Sequence, residues 1–532
     1  MRERVERLVA AAQTASLASQ EQAAGRAGVA GRGLCRSRGG IQCSPEPLGI
    51  STRPAASTHT RRKCWISLLA AAVAYLAAPG SRADDSDPSS TSAVRERPEI
   101  HLNRWQEDWS GLADPALRTE PLDNLKYIPL VSGDPYSYAS LGLDLRERVE
   151  STQIALFGIG NPQSNTYVIQ RLEIHADIHP DIHWQIFVQL QDDRAFGKDV
   201  VTPVDKDPLD LEQAFATYSN DLGGGTLKIR VGRQQMGFDL QRFVGVRDGP
   251  NVRQSFDAVW ADWEKASWRF ITFWSHPVQN VPDNTFNDYS SPRLQYGGFR
   301  IERNDVGPGK LSAYYSRYNQ DPAHYLDGSG NERRDNLDVR YAIARGPVDW
   351  DLEGMRQTGR VGSEPIRAWA VGSRGGYTFE NAFWSPRIGL QVDLASGYRR
   401  LGDGIIGTFN PLFPNAYYFT LASTPTYANL IHVRPSLELR PLHNLKVVAG
   451  VGLQWRETTA DAVYVIPNRP LAGTAGQPGR WTGVYEQLRA EWAISPHWAA
   501  ALEGVQYQVG DVIRRAGGGN ANYLGVELRF AW

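Results

Sequence analysis

Leu524-Gly525-Val526-Glu527-Leu528-Arg529-Phe530-Ala531-Trp532 closes the chain, with apolar residues at every second position. A period of two belongs to a strand with one greasy and one polar face. This strand ends where the polypeptide ends, on an aromatic residue. Lipid admits only helices and closed barrels, because each backbone amide must find its partner inside the protein. Mean hydropathy is −0.42 and 22% of residues are charged. The one long apolar run, 65–78, is short for a helical span. The ending therefore points to a closed barrel.

The alternation continues upstream. Leu141, Leu143 and Leu145 alternate with Gly142, Asp144 and Arg146; Leu172, Ile174, Ala176 and Ile178 alternate with Arg171, Glu173, His175 and Asp177. Leu227, Ile229 and Val231, and later Leu445 to Trp455, repeat the pattern. A soluble sandwich also alternates, so connection lengths decide. Short links stand at His179-Pro180-Asp181, Glu264-Lys265-Ala266, Arg345-Gly346-Pro347, Leu442-His443-Asn444 and Ser495-Pro496-His497. Long ones cover 152–166, 192–208, 235–255, 276–293, 320–335, 399–428, 457–482 and 510–522. Short periplasmic turns alternating with long extracellular loops mark barrels of the outer membrane. The fold class is all-β, a transmembrane antiparallel barrel of the outer-membrane type over 138–532, with about 18 strands, an even number. The location is the outer membrane of a Gram-negative bacterium. The last strand resembles those whose closing aromatic is read by the barrel-assembly machinery, here Phe530 and Trp532.

Residues 1–83 read as leader and signal peptide. Arg61-Arg62-Lys63, the apolar run and Ser81-Arg82-Ala83 supply its basic, hydrophobic and cleavage regions. Residues 1–60 read as a start placed too far upstream; a genuine long leader is the other reading. Residues 84–137 form a periplasmic segment or partial plug. Twelve of the 57 basic and four of the 58 acidic residues precede Asp84, leaving 45 and 54, a net of −9. That balance does not suit a nucleic-acid binder. Cys35, Cys43 and Cys64 all fall in the leader, so the mature chain has no thiol.

Catalytic patterns are poor: no GxSxG, HExxH or P-loop occurs. His175, His179 and His183 are spaced by four around a hairpin, which reads as solvated turn histidines rather than a metal centre. No enzyme activity, metal or cofactor is expected. The polar face is more informative. With the apolar residues toward lipid, Arg146, Arg148, Arg171, Lys228, Arg230, Arg340, Arg387, Arg440, Lys446, Arg456, Arg489 and Arg529 face inward. So do Asp144, Glu173, Asp177, Asp193, Asp210, Glu212, Asp262, Asp349, Asp351, Glu353, Glu438, Glu491 and Glu527. A ring of guanidinium groups would select anions and grip carboxylates. Ladders of arginine and acid satisfying one another are equally available. The residues establish a polar lumen, and both readings stay open.

Arg104-Trp105-Gln106-Glu107-Asp108-Trp109, Leu125-Lys126-Tyr127-Ile128-Pro129-Leu130 and Leu141 to Arg148 are similar to the start of the alginate-export family of outer-membrane proteins. Val188 to Arg194, Val231-Gly232-Arg233-Gln234-Gln235 and Phe409-Asn410-Pro411-Leu412-Phe413-Pro414 fit the same family. The resemblance implies an 18-stranded monomeric barrel whose arginine-rich constriction passes an anionic uronate polymer or its oligomers outward. It implies that Arg171, Arg230 and Arg233, with Asp193, line the narrow part. Arg233 shares a face with outward Val231, so it needs a bulge or a place at the rim. With Arg340, Arg440, Arg456 and Arg489 from the inward face, these are the candidate pore residues. The expected partners are outer-membrane lipid, the assembly machinery, an anionic saccharide and a periplasmic export partner. The alternative is an uptake porin for small solutes such as organic or aromatic acids.

Overall fold

No cysteine occurs in 138–532 and no helix among the described residues is long and apolar enough to cross a membrane, so the alternating strands must hold the wall by pairing. The computed structural model describes residues 97–160 and 164–532; the leader, the signal sequence and residues 84–96 lie outside them. Its main sheet has 20 strands, two of which, Ile128–Pro129 and Tyr289–Ser290, are two-residue additions. The other 18 make the wall. They are β1 Tyr138–Gln153, β2 Asn165–His179, β3 Trp184–Phe196, β4 Asp207–Leu222, β5 Gly225–Gln235, β6 Ser255–Lys265, β7 Trp268–Gln279, β8 Leu294–Val306 and β9 Gly309–Tyr325. They continue as β10 Gly328–Arg345, β11 Val348–Val361, β12 Glu364–Thr378, β13 Arg387–Ala395, β14 Leu430–Leu442, β15 Leu445–Trp455, β16 Trp481–Ala493, β17 Trp498–Val509 and β18 Ala521–Ala531.

Each strand pairs antiparallel with the next, and β18 returns to β1 from Asp144↔Ala531 to Gln153↔Asn522. Leu143 and Trp532 extend that closure with two backbone bonds of 2.7 and 2.8 Å. No wall strand is left with an unpaired edge. Ile174, Val231, Leu337, Val339, Leu390 and Val526 stand exposed on the outer face, while Arg171, Glu173, Asn336, Asp338 and Glu527 between them are buried inside. This is the expected greasy exterior over a polar interior.

The connections segregate as anticipated, with one correction. One end carries links at 180–183, 223–224, 266–267, 307–308, 346–347, 379–386, 443–444 and 494–497. The other carries long loops at 154–164, 197–206, 236–254, 280–293, 396–429, 456–480 and 510–520. Residues 320–335 are not a loop: β9 and β10 remain paired up to Tyr325↔Gly328, leaving a two-residue turn, and a second such turn, 362–363, joins β11 to β12 at the same end. These strands run on above the lipid, so their polar tips (Gln320, Asp321, Asn331, Glu332) read as loop in sequence. The short-linked end is periplasmic.

The segment ahead of β1 folds as single 3-10 turns and a short helix, Asp123–Lys126, against the periplasmic end. Trp109, Leu112 and Tyr127 pack on Tyr138 of β1. Arg104 donates to the Leu143 and Trp532 carbonyls at 3.2 and 2.9 Å, tying the segment to the barrel seam.

The interior is fuller than a polar lumen requires. Loops 236–254 and 396–429 fold inward and bond one another, Phe413 N–H to Phe243 O at 2.9 Å and Gly245 N–H to Phe413 O at 2.8 Å. Phe238, Phe243, Phe409, Phe413, Phe419 and Tyr427 pack there against Phe256, Tyr296 and Tyr314 of the wall. Burial of such aromatic surface holds the loops in the barrel.

Candidate functional site: an arginine cluster occupied by an inward loop

Loop 236–254 crosses the lumen as a strap pinned at both ends. At one end Asp239 accepts from Arg300 of β8 at 2.7 Å and pairs with Arg340 of β10 at 2.7 Å. Arg242, fully buried, donates to Asp351 and Glu353 of β11 at 2.5 and 2.7 Å and to the Tyr418 hydroxyl at 2.7 Å. At the other end Asp248 accepts from Arg171 of β2 at 2.7 Å and from Arg253 at 2.7 and 2.9 Å, with Arg529 of β18 at 3.4 Å. Arg171 also reaches the carbonyls of Asn251 and Pro250, both at 2.7 Å. Arg146 of β1 donates to the Asp248 and Pro250 carbonyls at 2.7 and 2.8 Å. Arg253 is held in turn by Glu173 at 3.0 Å. In a ring of 18, β1 and β10 stand opposite, so the strap spans the diameter.

Two kinds of interior arginine are thus distinguished. Arg148 and Arg489 belong to self-satisfied ladders: Arg148 pairs with Glu150 at 2.8 Å, Glu527 at 3.0 Å and Glu503, and Arg489 with Glu491 and Glu503 at 2.7 and 2.9 Å. Arg146 and Arg171 direct their donors to the strap instead. Burial opposes the charge on Asp248, yet the guanidinium groups of Arg253, Arg529, Arg171 and Arg146 outweigh it and hold the carboxyl well below the usual range. The cluster is built for a carboxylate, and the chain's own carboxylate occupies it.

Other candidates are distributed around the barrel. Asp193 is fully buried, in register with Arg171, and neither carboxylate oxygen meets a hydrogen-bond donor. Arg230 lies nearer the periplasmic mouth, stacked 3.7 Å from the Trp105 ring centroid and 4.7 Å from that of Phe215. Arg340 anchors the far end of the strap. Arg440 lies exposed near the periplasmic turn, paired with Glu438 at 3.1 Å.

The structure does not bring Arg233 or Arg456 to the cluster. Arg233 keeps the outward face of Val231 with no register shift and pairs with Asp257 at 2.9 Å, so it does not line the lumen. Arg456 is buried beyond the end of β15 and donates to the carbonyls of Thr459, Asp461, Thr474, Gln477 and Gly479, at 3.2, 2.9, 2.7, 2.5 and 2.5 Å, which organises loop 456–480. The three histidines diverge: His175 stacks on Phe187, His179 bonds Asp177 at 3.1 Å, and His183 bonds the Ser219 carbonyl at 2.9 Å. Sequence reasoning missed Asp248, Arg253 and Arg242, because they sit outside every period-two segment. The signal for Asp248 and Arg253 was the charged run Arg247-Asp248-Gly249-Pro250-Asn251-Val252-Arg253 inside a long connection.

Above the strap lies a vestibule of about 660 Å³. Tyr167, Tyr417, Tyr507 and Tyr523 line it with Lys198 and Arg247, and Gly249, Pro250 and Asn251 contribute from the strap.

A closed wall with a lipid-facing exterior, a charged interior and a loop folded into its lumen defines an outer-membrane channel of the Gram-negative type. The family model described as alginate export matches residues 137–527, and the chain belongs to that family. No curated protein sequence matches it. Among solved structures it is similar to three Pseudomonas aeruginosa proteins. OccD3 (OpdP) has a TM-score of 0.51 at 11% identity, covering 77% of this chain and 93% of that one. OccK9 (OpdG) has a TM-score of 0.51 at 9% identity, covering 74% and 98%. OccK2 (OpdF) has a TM-score of 0.50 at 10% identity, covering 74% and 97%. At such identities the likeness is one of fold. Family and fold are those of channels rather than enzymes.

Proposed function

We propose that this channel passes an anionic, alginate-like polysaccharide or its oligomers, and that Arg146, Arg171, Arg253 and Arg529 form its selective constriction. The observation that carries the reading is Asp248: a carboxylate on a loop is the nearest acid to Arg171 and Arg529 of the wall, and it shares Arg253 with Glu173. A passing uronate carboxylate replaces Asp248 in that cluster, and fixed guanidinium groups stand in for the counterions it sheds. Each grip is short-lived because the strap competes for the same donors. Conduction is passive and needs no catalytic step; a gradient or a periplasmic partner supplies the drive. The 97–137 segment, docked at the periplasmic mouth through Arg104 and Trp105, is where such a partner would act. Phe530, packed on Trp498 at 4.8 Å, and Trp532 are the assembly signal.

The vestibule supports a second reading. Four tyrosines beside Lys198 and Arg247 suit a small organic or aromatic acid taken up from outside. Single-channel recording of the mature chain from Asp84 under a salt gradient separates the two. An anion-selective reversal potential with current blocked by oligouronates supports the polysaccharide reading. Block by aromatic acids alone transfers the function to uptake, and cation selectivity without any block removes the arginine constriction.

A further inference from the structure

A second arginine group lies on the outside of the barrel. On β8 to β12 the outward positions can be read row by row from the strand register. One row is Ile301, Ala313, Val339, Gly354 and Val371, without a polar side chain, as hydrocarbon requires. The next row toward the extracellular end is Phe299, Tyr315, Leu337, Arg356 and Trp369. Above it come Arg317, Asp335, Thr358 and Arg367, and above those Arg333 and Arg360, directly paired across the sheet. Arg333, Arg356, Arg360 and Arg367 are exposed. Among the described residues none of the four has an ion-pair partner; only Arg317 does, with Asp335 at 2.7 Å.

Their height above the membrane midplane is bounded from both sides. An arginine facing lipid costs about 2–4 kcal/mol at the midplane and about 0–1 near the interface. The apolar row beneath and the two-residue turns 326–327 and 362–363 above bracket the group between hydrocarbon and water. The aromatic row of Phe299, Tyr315 and Trp369 marks that boundary, as girdles do. With strands about 4.8 Å apart and alternate residues about 6.7 Å apart, the patch measures roughly 10 Å across the strands and roughly 13 Å along them.

The patch is local. At the outward positions above the apolar band on the opposite wall stand Ser151, Gln153, Glu486, Gly504, Gln506, Gln508 and Asn522, with one acid and no arginine or lysine among them. Elsewhere at the extracellular rim Arg194 and Arg233 are neutralised by Asp192 and Asp257. Four uncompensated guanidinium groups in a mature chain of net negative charge carry a repulsion that an anionic ligand would relieve.

We infer that this face binds a phosphorylated glycolipid of the outer leaflet. Arg333, Arg356, Arg360 and Arg367 hold its headgroup phosphates through paired N–H donors, and its acyl chains run down over Leu337, Val339 and Val371. Guanidinium recognises phosphate bidentately, and basic clusters at headgroup level read as anionic-lipid sites. The occupant is a lipid rather than free phosphate, because the cations are continuous with the hydrocarbon-facing rows.

The test uses the refolded mature protein in detergent with three additives: bisphosphorylated lipid A, its dephosphorylated form and inorganic phosphate. Native mass spectrometry counts adducts, and a thermal shift reports stabilisation. Lipid A is expected to form a specific adduct and raise Tm, and neither control to match it. The quadruple variant R333Q/R356Q/R360Q/R367Q is expected to weaken the adduct at least about tenfold while keeping wild-type single-channel current. Equal stabilisation by dephosphorylated lipid or by phosphate alone overturns the inference on wild-type protein, even where the variant folds poorly. Undiminished lipid A binding by the folded variant overturns it as well.

Discussion

Replacing Asp248 by Asn removes the carboxylate from the arginine cluster while preserving its volume. Three of its accepted bonds are short: 2.7 Å from Arg171 and 2.7 and 2.9 Å from Arg253. Arg529 adds a longer contact at 3.4 Å. Removing one partner of a buried ion pair costs about 3–5 kcal/mol, largely through the charges left behind. The Asp248 side chain is 28% exposed, so solvent screening places the loss at the low end, about 3 kcal/mol. About 1.4 kcal/mol is a tenfold change in an equilibrium constant. The strap should therefore leave its seat about a hundred times more often. In planar bilayers Asp248→Asn should show a higher-conductance state, rare in wild type, and a reversal potential moved toward anion selectivity. Asp248→Glu should restore most of the wild-type record. A correctly folded Asp248→Asn channel with unchanged conductance and reversal potential refutes the reasoning.

Three further outcomes are expected. The depressed Asp248 carboxyl contributes stability that is complete above its ordinary value, about 3.9, and lost as pH falls through its lower value in the folded barrel. The difference in current between wild type and Asp248→Asn should therefore stay constant from pH 8 to about 4, and a difference that shrinks between pH 7 and 5 contradicts this. Arg456→Met strands the loop carbonyls that Arg456 holds and should cost about 3 kcal/mol locally, seen as faster hydrogen exchange in 456–480 with the barrel wall unchanged; undisturbed protection contradicts it. Lys126 is buried against the Trp532 and Trp109 rings, 4.4 and 5.0 Å from Nζ to their centroids, and burial, followed by Arg104, pulls its pKa down to about 7. Its charge weakens segment docking progressively as pH falls from about 10.5 toward 7. The advantage of Lys126→Met in resistance of residues 97–137 to proteolysis should grow over that interval and level off below it; a fixed difference contradicts it.

The wall was legible because lipid imposes period two on one face. Ile174, Val231, Leu337 and Val526 show it, and Arg233 follows the same rule to the outer rim despite its charge. The turns were legible from Gly, Pro and Asn. Strand ends above the lipid were not, since both faces of β9 and β10 become polar there and Gln320 to Asp335 imitates a loop. The constriction was half legible. Alternation puts Arg146 and Arg171 inside, but the groups that set their role, Asp248 and Arg253, arrive from a loop whose path depends on aromatic packing between distant segments. Nothing in the local spelling of Arg340 or Arg489 says that one anchors a strap and the other belongs to a wall ladder; that difference is tertiary.

The diametric span of loop 236–254 bears on how the barrel is made. Its first anchors, Arg300, Arg340, Asp351 and Glu353, precede its last, Arg529, by seven to ten strands, and Arg529 belongs to the final strand. The strap completes its seat only when β18 meets β1, so closing the seam and sealing the bore become one event. The same tie joins two opposite arcs of a thin cylinder, acting as a spoke that resists flattening by lateral pressure from the lipids.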